Sequence, residues 1–300
     1  MRIVRTILSF LAIVAAPAHG WGQGGPACPT MENPPVGVAL PQIIFGERAY
    51  EQTSVVWIET TSASGSTSLC TSTIIGANQV LTAAHCVCRN CKTKVGLGPK
   101  LQGPTSDKIM TDVVASSLHP LFRPSGPDMQ PSSDIAVLSL ANYSSCPAYK
   151  TRLPIYPVSS AASGPSGQFA VVGYGLTENE TFGEKRMANV AAISVTCTQS
   201  WARRSGCVRF TEFVLEGLTH DSLSNSNLGA DTCKGDSGGP ALAFRKGAKF
   251  VAGVTSRALV PKGGFNNAGC GIGGIYEYVG TPFVLNWLRS IVPDLQVADK

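Results

Sequence analysis

Cys233-Lys234-Gly235-Asp236-Ser237-Gly238-Gly239-Pro240 sets a serine among glycines. A serine hydroxyl is a weak nucleophile at neutral pH. It attacks only with a base beside it and with donors for the oxyanion it creates. The glycines suit the second need, because backbone amides approach a bound carbonyl closely where no side chain crowds them. Two other stretches supply the rest. Thr82-Ala83-Ala84-His85-Cys86 offers an imidazole, and Ser133-Asp134-Ile135-Ala136-Val137-Leu138 offers a carboxylate followed by an apolar run.

The chain has 300 residues, enough for a sizeable core, and an all-β unit of that length can be one domain. It is rich in Gly and Pro, 43% hydrophobic and only 14% charged, which suits many short strands and turns rather than a helical bundle, and excludes a disordered chain. The first 18 residues have the form of a signal peptide. Arg2 and Arg5 precede an apolar run over 7–16, and Ala16-Pro17-Ala18 offers small residues for cleavage after Ala18 or Gly20. That run is shorter than the roughly 20 residues a membrane-spanning helix needs. Without the signal, 22 basic side chains face 19 acidic ones, an excess too mild to imply nucleic-acid or membrane partners. Ten cysteines, all after the signal, fit an oxidising compartment.

Residues 19–42 contain Gly24-Gly25-Pro26 and Asn33-Pro34-Pro35 without periodicity and are assigned to a pro-segment or linker. The globular part is expected over 43–300. Val55-Val56-Trp57-Ile58, Ser72-Thr73-Ile74-Ile75, Gln79-Val80-Leu81-Thr82, residues 135–140, Ala170-Val171-Val172-Gly173 and Phe250-Val251-Ala252-Gly253-Val254-Thr255 are predicted strands. Residues 97–107 and 123–133 are predicted loops. One helix is expected near the end, starting at Pro282, with Phe283, Trp287, Leu288 and Ile291 at helical spacing. His119 and His220 carry no motif and are expected at the surface.

At these residues the chain resembles the trypsin-like serine proteases of the chymotrypsin family, from residue 43 to the end. The resemblance rests on three motifs in the order His, Asp, Ser, which differs from the subtilisin-like and α/β-hydrolase orders. It implies an all-β fold of two six-stranded antiparallel β-barrels, with the site between them and a C-terminal helix. It implies Ser237 as nucleophile, His85 as base and Asp134 as the group that orients the imidazole. The amides of Gly235 and Ser237 would form the oxyanion hole. Asp231, six residues before Ser237, matches the base of the primary specificity pocket, where a buried carboxylate selects Arg or Lys. Gly274 would line that pocket, with Tyr276 as a second wall residue. Ser256 would begin the segment that pairs with substrate backbone.

The resemblance also implies disulfides Cys70–Cys86 and Cys233–Cys270. Cys197 and Cys207 are expected to close a local loop. The pairing of Cys28, Cys88, Cys91 and Cys146 is open, with Cys28–Cys146 and Cys88–Cys91 preferred. The spacing of Cys86, Cys88 and Cys91 also suits zinc, but an even cysteine count in a secreted chain favours disulfides, so no metal is expected.

Two departures stand out. The aromatic-Gly pair usual after the serine at 256 is Arg257-Ala258 here. The arginine could repel a basic substrate or point into solvent, and the alanine could narrow the pocket. The stretch to Cys270 is also long. Second, the family's new N-terminus, whose ammonium pairs with the Asp before the catalytic Ser, corresponds to Ile43-Ile44-Phe45-Gly46 and Asp236. Gln42 precedes Ile43, so either another protease activates the chain or it acts without this switch. Tyr174 stands where the family usually has Trp.

The expected function is a secreted serine endopeptidase, extracellular or periplasmic in a bacterial host, cleaving after Arg or Lys. It would act on protein or peptide substrates as a monomer, without cofactor. The alternative is a non-catalytic homologue serving as a protein-binding module. An esterase is disfavoured by the motif order and by the lack of a strand-to-helix setting at Ser237. Asn142-Tyr143-Ser144 and Asn179-Glu180-Thr181 are sequons that matter only in a eukaryotic secretory route.

Overall fold

The computed structural model describes residues 43, 46–88, 90–101, 109–123, 133–141, 147–155, 167–177, 180–217, 229–259 and 270–298. The expected signal, Gln42, Cys28, Cys146, His220, both sequon asparagines and most of the two predicted loops lie outside these residues.

The first barrel is built from β2 (Val55–Thr61), β3 (Thr67–Ile74), β4 (Gln79–Thr82), β5 (Lys92–Leu97), β6 (Ile109–Leu118) and β7 (Ala136–Leu140). Its strands close in the order β2-β3-β4-β7-β6-β5, all antiparallel. The second barrel uses β8 (Gln168–Gly173), β9 (Arg186–Ser194), β10 (Glu212–Gly217), β11 (Pro240–Arg245), β12 (Ala248–Ala258) and β13 (Gly274–Tyr278). Its order is β9-β10-β13-β12-β11-β8, closed by β8 against β9, and the short β1 (Glu47–Arg48) adds to β9. Closure leaves few free strand edges, which suits a chain with so many short apolar strands.

Val55, Val56, Trp57 and Ile58 are all buried, as a continuous apolar run predicts for a strand covered on both faces. Trp57 faces Gly96 across β2 and β5, and a Cβ at Gly96 would lie 2.0 Å from the indole ring. The indole therefore fills space that only glycine leaves. Tyr174, at the end of β8, meets Trp57 edge-on with centroids 5.5 Å apart. Its hydroxyl lies 2.6 Å from the carbonyl of Gly98 and 3.2 Å from that of Val55. The phenol thus links the two barrels by a hydrogen bond while its ring stays in the core.

The last helix, α2, covers Pro282–Ile291 after a short α1 at Ser200–Arg204. Thr281 caps α2 by accepting from the Val284 amide, and Pro282 begins it, where its missing N–H leaves no gap. The buried face is Val284, Leu285 and Leu288, whereas Phe283 is 56% exposed. Of the expected stripe, Leu288 is buried and Trp287 and Ile291 are half-buried against the core, so Phe283 alone departs from it. His119 also differs from expectation. It is buried, edge-on to Phe283 and Trp287 at 5.2 and 5.0 Å, and burial lowers its pKa. The C-terminal helix covers it, a long-range contact that no local motif signals.

Gly96→Ala is expected to destabilise the fold by about 1–3 kcal/mol, the usual range for overpacking a filled core. Urea unfolding should show a lower midpoint. An unchanged midpoint would contradict the packing of Trp57 on Gly96.

Candidate active site

His85 sits on a single 3₁₀ turn, Ala84–Cys86, directly after β4. The Cys70–Cys86 disulfide ties that turn to β3. Asp134 enters just before β7 and is fully buried. Its Oδ1 accepts the His85 backbone N–H at 2.9 Å, and its Oδ2 lies 2.7 Å from His85 Nδ1. Ser256 donates to the same Oδ2 at 2.7 Å. Burial pushes the Asp134 carboxyl up, but the hydrogen bonds from His85 and Ser256 outweigh it and hold the pKa below its ordinary value. The group is therefore an anion and can only accept. The proton between it and His85 belongs on Nδ1, which leaves Nε2 as the basic nitrogen.

Ser256 was expected to begin the segment that pairs with substrate backbone, and its side chain has a second task on Asp134. The cause is a bulge in β12. Thr255 faces Tyr276 and Arg257 faces Ile275, so Ser256 is the extra residue and its side chain is re-aimed.

Ser237 lies in the turn before β11, not before a helix. That turn is fastened to β3 of the other barrel through Thr71. The Thr71 amide donates to the Ser237 carbonyl at 2.8 Å, and its hydroxyl donates to the Gly235 carbonyl at 2.9 Å. Gly238 has φ +83°, and a Cβ there would lie 2.4 Å from the Thr71 carbonyl. The motif glycine is thus required by both conformation and space. Among the described residues, the amides of Gly235 and Ser237 donate to no protein acceptor. No hydrogen bond joins Ser237 to His85 here, and His85 Nε2 lies 3.8 Å from Cys86 Sγ. Catalytic hydrogen bonds are commonly open in resting enzymes and tighten with substrate bound.

Asp236 is wholly buried, with its carboxylate on the amides of Gly175 (2.7 Å) and Cys233 (2.8 Å). Those two bonds do not offset burial, and the pKa is pushed up to about 7. Among the described residues no cation pairs with it. A Cβ on Gly173 or Gly175 would strike its carboxylate at 2.0 or 2.5 Å, so this chamber is made by glycines. Ile43 is buried in an apolar cluster with Phe169 and Val190, and in the uncut chain its nitrogen is a peptide nitrogen.

Asp231 is also buried. It accepts from the amides of Thr232 (2.7 Å), Gly273 (2.9 Å) and Gly271 (3.2 Å), yet burial pushes its pKa up to about 7. A cavity of about 110 Å³ beside Ser237 is lined by Thr232, Arg257, Ala258 and Cys270 among others. Neither Asp231 nor Gly274 lines it. Thr232 stands between, its hydroxyl 3.1 Å from that of Tyr276. A Cβ on Gly274 would lie 2.9 Å from the Tyr276 ring, so this glycine makes room for the tyrosine. A larger groove of about 570 Å³, between the β11–β12 hairpin and the C-terminal tail, shares no residue with the site.

Arg257 takes neither of its expected courses. It turns inward, and its two terminal nitrogens reach the two oxygens of Glu212 at 2.7 and 2.8 Å. Glu277 accepts the Asp134 amide at 3.0 Å. Thr71, Glu212 and Glu277 were not among the expected site residues. Glu277 does carry a signal, as the lone acid in a buried apolar strand, whereas Glu212 opens a strand that also holds Glu216. Thr71 carries none. The disulfides Cys70–Cys86, Cys88–Cys91, Cys197–Cys207 and Cys233–Cys270 are formed. Cys86 and its neighbours are thereby removed as zinc ligands.

Known proteins resemble the chain in sequence and in fold. The family model described as Trypsin matches residues 43–287. Vitamin K-dependent protein C of Rattus norvegicus is 29% identical over 239 residues, covering 77% of this chain and 48% of that protein. The chain thus spans about half the length of that relative. Kallikrein-8 of Homo sapiens is 27% identical over 231 residues, covering 75% of this chain and 77% of that protein. The solved structure of neuropsin, described as a serine protease expressed in the limbic system of mouse brain, superposes with a TM-score of 0.59 at 23% identity. It covers 83% of this chain and 99% of that one, a likeness of fold.

The buried acids set a pH dependence of stability. A carboxyl whose folded pKa lies above its unfolded value holds its proton longer in the fold. Stability then falls as pH rises from the unfolded value, near 4, to the folded one. Asp231 and Asp236 both act in the window from about pH 4 to 7. Each contributes at most about 1.4 kcal/mol per pH unit. Uncut Ser237→Ala protein should lose stability in urea between pH 5 and pH 7. A flat or rising profile would contradict two unpaired buried carboxylates.

Proposed function

Since the chain belongs to the Trypsin family, we propose that it is a secreted serine endopeptidase whose triad is His85, Asp134 and Ser237. The observation that carries this reading is the buried Asp134 anion on His85 Nδ1, which leaves Nε2 free to take a proton. Ser237 Oγ attacks the scissile carbonyl while His85 Nε2 takes its proton. The carbonyl oxygen becomes an oxyanion held by the amides of Gly235 and Ser237. His85 returns the proton to the leaving amine, and an acyl-enzyme forms. Water then repeats the sequence and releases the acid. Asp134 stabilises the imidazolium throughout.

We assign substrate selection to Asp231 and the primary cleavage preference to Arg or Lys. A buried acid near its protonation point has no countercharge of its own, and a substrate cation would supply one. Thr232 and Ala258 narrow the approach, so the preference is a restricted one. Activation is assigned to cleavage after Gln42 by a different protease, because Gln does not satisfy an Arg/Lys pocket. The new Ile43 ammonium would pair with Asp236, which pairs with no cation among the described residues. The disulfides accord with an extracellular setting. Protein or peptide substrates and a monomeric state complete the assignment.

A panel of peptide amides differing only before the scissile bond tests this with N-terminally processed protein. Cleavage after Arg or Lys, lost in Ser237→Ala, is expected. Because the cation binds the ionised form of Asp231, KM for those substrates should rise as pH falls below about 7. Cleavage elsewhere would move selection away from Asp231. No cleavage by protein verified as processed at Ile43 would favour a protein-binding homologue.

A further inference from the structure

The charged groups behind Asp134 form a network that the reaction as described does not use. Glu212 on β10 and Glu277 on β13 face each other directly across the sheet, and both are buried. Two bare anions in that arrangement would repel strongly. Arg257 settles the first. Its guanidinium engages both oxygens of Glu212 and also donates to the Gly206 carbonyl at 2.6 Å. Burial, followed by Glu212, drives the Glu277 carboxyl well above its ordinary pKa, which favours its neutral form. The result is one arginine for one carboxylate.

The same guanidinium reaches the triad. Arg257 donates to Ser256 Oγ at 3.2 Å, and Ser256 in turn donates to Asp134 at 2.7 Å. An arginine has only donors. Ser256 must therefore accept from it, which leaves the single hydroxyl proton for Asp134. Were Arg257 absent, the hydroxyl could rotate and its proton could go elsewhere. The bulge at Ser256 lets these consecutive side chains meet, one on Asp134 and the other on Glu212.

We propose that Arg257, clamped by Glu212, is a positioning residue that acts through Ser256 to fix the hydrogen bonding of Asp134. The residue that replaces an aromatic at the pocket rim thus supports the triad from behind. This inference rests on the protease reading. It predicts a loss in turnover rather than in substrate binding, and a loss that needs Ser256.

The test uses the full processed chain, with rates normalised to titrated active sites so that misfolded protein does not count. Arg257→Met is paired with Glu212→Gln to avoid a bare buried carboxylate. We expect kcat to fall about tenfold with KM within twofold. In a Ser256→Ala background the same pair should change kcat by less than twofold. An equal loss with and without Ser256, or a change confined to KM, would overturn the proposal. If the paired variant does not fold, Arg257→Lys carries the same comparison, with about a threefold loss expected when Ser256 is present and none when it is absent. If the wild type hydrolyses no peptide, the protease reading fails separately. The downfield proton resonance of His85 Nδ1–H then decides, since a shift or broadening in the Arg257 variants supports the inference and an unchanged signal overturns it.

Discussion

A single buried carboxylate, Asp134, holds the site together across the two barrels. From the first barrel it takes the His85 amide and ring N–H, and from the second the Ser256 hydroxyl. Its own amide donates back across the interface to Glu277. A charge in this position would be expensive without such partners, because burial alone penalises an anion by several kcal/mol. The barrels must therefore meet in one arrangement, and that arrangement presents a histidine with Nε2 free. Thr71 performs the matching service for the nucleophile turn through its amide and hydroxyl.

Three buried aspartates among the described residues show what decides the charge of such a group. Asp134 accepts three hydrogen bonds and Asp231 four, and both are almost wholly buried. Their pKa values nevertheless move in opposite directions. Donor count is thus not the deciding term. Asp134 has the imidazole, which can carry positive charge, whereas Asp231 has neutral donors, three amides and the Thr232 hydroxyl, and a like neighbour in Asp236. The hydrogen bonds on Asp134 favour its ionised form. Under the proposed function, Asp231 would take its cation from substrate and Asp236 from the chain's own new terminus.

The architecture and the central residues were largely legible in the sequence. Runs such as Val55-Val56-Trp57-Ile58 and a short strand leading into His85 carry local signals, and the glycines around Ser237 are demanded by the turn itself. What could not be read depends on contacts between distant residues. The destination of Arg257 is set by Glu212, 45 positions earlier, so rim arginine and inward arginine look identical locally. His119 is buried only because α2 folds back over it. Ser256 looks like an ordinary strand residue until the register shows the bulge. Asp231 bears the right spacing, but only the fold places Thr232 between it and the cavity.

Reaction of the processed protein with a serine-directed phosphonate tests the central claim most directly. The labelled residue is located by mass spectrometry, and the labelling rate is compared with that of Asp134→Asn. The account expects one adduct, on Ser237, formed on the order of 10⁴-fold more slowly in the variant, the loss typical when an orienting carboxylate is neutralised. No adduct at Ser237, or equal rates in the two proteins, would contradict it.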